Sequence, residues 1–139
     1  MKTDTAANQL ETRAAEALKA LLGQLSGIKL KELKRASHAS GRAVEIRAQV
    51  DVFGHNHTLA CEVSADATPD RLRKTLRSRN DGDIRQATPV IIAPYLSPEA
   101  QDLCKRNHAG FLDLEGNARL ALGEVFIGTR ALGSRAARA

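Results

Sequence analysis

Two carboxylates and five cations carry most of the chemistry that this 139-residue sequence could perform. Asp51 and Glu62 lie in two stretches whose alternation of apolar and polar residues marks half-buried strands. Carboxylates converging from neighbouring strands could both reach one hard cation. The cations are Arg71, Arg73, Lys74, Arg77 and Arg79, crowded into nine residues. A helix with that density on its polar side faces either water or phosphates. His55 and His57 read first as turn residues, with metal ligation or general-base work as the alternative.

The elements that must position the two acids form a hairpin. From Val44 to Phe53 the even positions are apolar, and His57 to Ser64 continues the alternation through Leu59, Cys61 and Val63. Gly54-His55-Asn56 supplies turn chemistry between them. A two-residue loop of His55-Asn56 predicts Val52 opposite Leu59, Val50 opposite Cys61 and Ala48 opposite Val63. The other face then carries Asp51 opposite Ala60 and Gln49 opposite Glu62. Asp51 and Glu62 become diagonal neighbours with Cβ atoms roughly 6–8 Å apart, a geometry that a different loop length would break.

The rest of the chain predicts one domain over 1–139. Hydrophobic residues make up 42% but aromatics only 3%, with no Trp, so the core must be aliphatic. A net charge of +5 favours an anionic partner. Cys61 and Cys104 lack metal-ligand spacing, and Cys61 falls on the apolar face of its strand. No apolar run has the length of a membrane span or signal segment, which points to a cytoplasmic protein. Thr5 to Leu25 has helical spacing, ending before Gly27, so that 1–27 forms an N-terminal helix. Ile28 to Arg42 reads as a short strand or helix followed by a loop at Ser37 to Gly41. Thr68-Pro69-Asp70 opens a helix over Pro69 to Ser78, closed by a turn at Asn80 to Asp83. Thr88 to Ala93 is a strand buried on both faces, and Ser97-Pro98-Glu99 opens a further helix. Phe111 to Leu114, Arg119 to Leu122 and Val125 to Ile127 are strands. Residues 128–139 read as a basic, frayed tail. Asp113 points away from the face of Leu112 and Leu114, toward a site or toward solvent, and Asn117 reads as a turn residue.

Two acids on adjacent strands, the second followed two residues later by lysine, form the core of the PD-(D/E)xK nucleases. The hairpin resembles that restriction-endonuclease-like pattern, with Asp51 as its first acid and Glu62-Val63-Ser64 in place of Glu-x-Lys. Ser64 departs from it, since a hydroxyl cannot supply the lysine's charge. Lys74, the lysine of the basic helix, is the candidate replacement. Ala93 to Ala100 and Gly110 to Leu120 also resemble segments of bacterial proteins of uncertain role with restriction-endonuclease-like domains. With the hairpin, the resemblance covers about the last two-thirds of the chain. It implies a mixed-sheet α/β sandwich.

Three functions are compatible with this reading. The first is a nucleic-acid-binding module, DNA favoured, on a nuclease-derived fold with a degenerate catalytic motif. The second is a Mg²⁺- or Mn²⁺-dependent DNA endonuclease using Asp51, Glu62 and Lys74. The third is a protein-interaction or oligomerisation domain, such as a homodimer.

Overall fold

The computed structural model describes residues 2–37, 44–81, 87–122 and 125–129, with side chains described within 9–35, 45–77, 87–122 and 125–129. Among the described residues three helices and seven strands follow in the order α1 (Lys2–Leu22), β1 (Ile28–Ser37), β2 (Val44–Val52), β3 (His55–Val63), α2 (Pro69–Asp81), β4 (Ala87–Ala93), α3 (Pro98–Arg106), β5 (Gly110–Asp113), β6 (Ala118–Leu122) and β7 (Val125–Thr129). The seven strands form one sheet in chain order. β3, β4 and β5 are parallel, and every other neighbouring pair is antiparallel. The mixed-sheet α/β sandwich expected from the sequence is therefore present.

Two aliphatic layers hold it together. α1 lays Ala14, Leu18, Leu21 and Leu22, at helical spacing, against Ile46, Val50, Leu59, Cys61, Val90, Ile92 and Leu120. On the opposite face, Leu72 and Leu76 of α2 and Ala100 and Cys104 of α3 cover Ile91, Ala93 and Phe111. A chain that steps across a sheet in one direction with crossovers of one hand puts both crossover helices on one face. β4 shows why its sequence is a continuous apolar run: Val90 and Ile92 face α1 while Ile91 and Ala93 face α2 and α3. No described helix is long and apolar enough to cross a membrane.

Several boundaries differ from the sequence expectations. α1 spans 2–22 rather than 5–25, because Gly23 closes it with its N–H on the Lys19 carbonyl (2.9 Å), leaving Leu25 exposed. The ambiguous segment after Gly27 is strand β1, with an irregularity between Leu30 and Glu32. α2 continues to Asp81, through the first part of the expected turn. Gly128 and Thr129 belong to β7 rather than to a tail. The remaining tail, 130–139, the loop at 38–41 and the turn residues 82–83 lie outside the described residues.

The hairpin between β2 and β3 carries the largest correction. Its turn is Phe53-Gly54, both with positive φ (49° and 89°), which is the two-residue type I′ connection. Phe53 is a costly residue there, and its ring is held over Gly27: a Cβ at Gly27 would lie 2.0 Å from Phe53 Cε1. Phe53 N–H also donates to the Gly27 carbonyl (2.8 Å). The register that follows pairs Val52 with His55, Asp51 with Asn56, Ala48 with Leu59, Ile46 with Cys61 and Glu45 with Glu62.

Candidate functional site

In this register Asp51 and Glu62 do not meet. Asp51 is opposite Asn56, and Glu62 lies six residues further along β3, about 20 Å away at the rise of an extended strand. The acid brought beside Glu62 is Glu45, directly across the ladder on the face that α2 and α3 share. Like charges in that relation destabilise a sheet unless a cation intervenes. Arg47, two residues along on the same face, provides one by donating from Nε to Glu45 Oε2.

Ser64 sits just beyond β3, where its alternation places it on the side of Glu62. Its N–H donates to the Ile92 carbonyl (2.8 Å) and its hydroxyl to the Asp66 carbonyl (3.1 Å). The residue at the lysine position of the resembled motif thus ties down the connection into α2. Among the described residues no three His, Cys, Asp or Glu side chains cluster as a cation site would need. The pair Glu45 and Glu62 does not fit a resident divalent cation, because the ion would share the Glu45 carboxylate with the Arg47 guanidinium and be repelled by it.

α2 is preceded by Thr68, whose hydroxyl oxygen accepts from the Arg71 N–H (3.5 Å) and whose carbonyl accepts from the Leu72 N–H (2.9 Å), as a cap does. Its buried stripe is Leu72 and Leu76. Lys74 is two residues from each, about 200° round the helix, so it points away from the sheet. It cannot take the place of the absent lysine beside Glu62. The other cations divide into two groups. Arg71 is paired with Asp66 (3.2 Å), and Arg73 with both Asp70 (2.8 Å) and Glu99 of α3 (3.6 Å). Lys74 and Arg77 are exposed and make no ion pair among the described residues. The Arg79 side chain lies outside the described residues.

His55 is exposed at the start of β3 and His57 half-buried opposite Val50. Asp113 points neither to solvent nor to the acidic pair. It is 1% exposed and accepts from Leu96 N–H (3.0 Å), Glu115 N–H (3.0 Å), Asn117 N–H (2.9 Å) and Asn117 Nδ2 (2.9 Å). Asn117 is accordingly its partner as well as a turn residue. Cys104 is buried in the layer beneath α3, and burial pushes its thiol up to about 12. It should resist iodoacetamide at pH 8 in the folded protein and react once urea unfolds the chain; labelling of Cys104 at equal rates in both states, read by peptide mass, would contradict its placement.

No protein-family model matches this chain, and no curated protein matches it. Among solved structures, EndoMS in its apo form is similar over 73% of this chain and 45% of that chain, with a TM-score of 0.47 and 16% sequence identity. This chain therefore spans less than half the length of that protein.

Proposed function

We propose that the protein is a DNA-binding module on a nuclease-derived, restriction-endonuclease-like fold whose catalytic motif has degenerated. The observation that carries this reading is the outer side of α2, where Lys74 and Arg77 stand exposed and away from the sheet in a chain of net charge +5. Phosphate binding needs cations that are not already neutralised, and it is driven largely by counterion release. Arg71 and Arg73 serve the fold more than the ligand, since Asp66, Asp70 and Glu99 hold them. Degeneration is supported by three features: Ser64 at the lysine position, Lys74 on the far side of α2, and the Arg47 guanidinium on the Glu45 carboxylate.

The reading is tested with labelled duplex DNA across a salt series. Affinity should fall steeply with salt, and Lys74→Ala and Arg77→Ala should each reduce the slope of log K against log salt by about one. Arg73→Ala should weaken binding less, because its charge is shared with two carboxylates. Binding that is absent, insensitive to salt, or unchanged in the Lys74/Arg77 double variant would remove this function.

A further inference from the structure

Among the described residues three large hydrophobic side chains are exposed, and two have a local explanation. Leu25 lies in the connection after α1, and the Phe53 ring covers Gly27 at the hairpin turn. Phe126 is different. It is 55% exposed on the face of β7 that α3 leaves uncovered, opposite the exposed Ala121 of β6. Its ring leans over Gly128, where a Cβ would come within 3.0 Å of Cε1, so the absence of a side chain there lets the ring lie along the strand. The Arg119 guanidinium stands over the ring at 4.6 Å from its centroid. Arg119 makes no ion pair among the described residues.

The surrounding charge indicates what this surface takes. Arg119 pairs with Phe111, the second residue of β5, and the chain reaches β5 directly from the last turn of α3. Lys105 and Arg106, both exposed, close that turn at the same end of the sheet; Asp102 holds Arg106 (2.7 Å), while Lys105 makes no ion pair among the described residues. A flat aromatic ring with open surface, a guanidinium against it and a further cation nearby is the arrangement that stacks an unpaired base and meets its flanking phosphates. A base in a duplex cannot use it, because both its faces are already stacked.

We propose that Phe126 and Arg119 form a stacking platform for one unpaired base of single-stranded DNA, with the Arg119 guanidinium and Lys105 at the end of α3 receiving the adjoining phosphates. The proposal rests on the DNA-binding reading above and adds to it a preference for single-stranded or locally unpaired substrate. The sequence contains no tryptophan, so Phe126→Trp gives an isolated fluorophore at the platform.

The experiment compares the wild type, Phe126→Ala and Phe126→Trp by anisotropy on a labelled oligothymidylate and on a duplex of equal length, with folding checked by circular dichroism. Phe126→Ala should lose roughly tenfold in affinity for the single strand and keep the duplex affinity of the wild type. Phe126→Trp should bind the single strand at least as well as the wild type, and its emission should be quenched as the unlabelled oligomer is added. An unchanged single-strand affinity in Phe126→Ala, or indole emission from Phe126→Trp that stays unquenched under saturating single strand, overturns the platform while leaving duplex binding through α2 intact. A wild type that binds neither DNA removes both readings. Self-association that Phe126→Ala abolishes would assign the surface to contact between copies and likewise overturn the platform.

Discussion

Replacement of Asp113 by alanine is expected to lower the unfolding free energy by about 3 kcal/mol, measured by urea denaturation. The carboxylate is nearly inaccessible, yet it accepts four hydrogen bonds from three residues. Those bonds join the end of β5 to the turn at 115–117 and to the segment that leads into α3. Alanine would strand the Leu96 N–H in a buried position, while the Glu115 N–H could turn to water. Asparagine at this position is an informative companion. It preserves volume and two acceptor bonds at one oxygen, but sets an amide donor against the donors of Leu96 and Asn117. Asp113→Asn should therefore recover less than half of the loss. Near-wild-type stability in either variant would show that the carboxylate does not hold these segments together.

The second large effect is expected at Gly110, where β5 begins between β4 and β6. A Cβ there would lie 2.8 Å from Leu120 Cδ2 and 2.9 Å from the Arg119 carbonyl oxygen. Leu120 is itself fully buried against α1, and the carbonyl belongs to the backbone of β6. Neither can move cheaply, so Gly110→Ala should cost about 2 kcal/mol through displacement of β6. Gly110→Ala combined with Leu120→Val should recover only part of this, because the backbone contact remains. A full recovery in the double variant would mean that the side chain alone limits the space, and no loss in the single variant would contradict the close approach of β5 and β6.

Much of the architecture is legible because its elements are strongly patterned. The Leu and Ala stripe of α1, the double-sided apolar run of β4 and the Ser97-Pro98-Glu99 start of α3 each point to one structure, and each is found. In α3 the Ser97 hydroxyl oxygen accepts from the Ala100 N–H as a cap should (3.1 Å). The hairpin register is not legible from faces alone. The expected and observed pairings differ by four residues, an even number, so both keep each strand's apolar side on the same face of the sheet, although the observed one sets Val52 and Val50 opposite His55 and His57. Only turn chemistry separates them, and the deciding signal is Gly54 as the second central residue of a two-residue turn. Phe53 disguises that turn, since an aromatic residue at the end of an alternating run reads as strand. The consequence is functional: the expected register pairs Glu62 with Gln49 instead of Glu45, and it brings Asp51 toward a site from which it is remote.

Charge is similarly half legible. The density of cations on α2 is plain in the sequence, but its neutralisation is not, since Glu99 reaches Arg73 from a different helix. Helical spacing by itself is enough to set Lys74 opposite Leu72 and Leu76. Asp113 is the residue least accessible to pattern. Alternation correctly sets it off the face of Leu112 and Leu114, and the fold then makes the opposite side a second interior rather than a solvent surface. Buried carboxylates of this kind are recognised from the donors around them, which come from three separate positions in the chain.

DNA binding without cleavage is the central claim, and one titration tests it most directly. Labelled DNA is incubated with the protein at low and moderate salt, in EDTA and then in Mn²⁺, and each sample is read by anisotropy and on a denaturing gel. The account predicts equal binding with and without metal, a steep loss of affinity with salt, and intact strands throughout. Strand cleavage that requires Mn²⁺ and disappears in both Glu45→Gln and Glu62→Gln would contradict it, and would make the acidic pair a working catalytic centre.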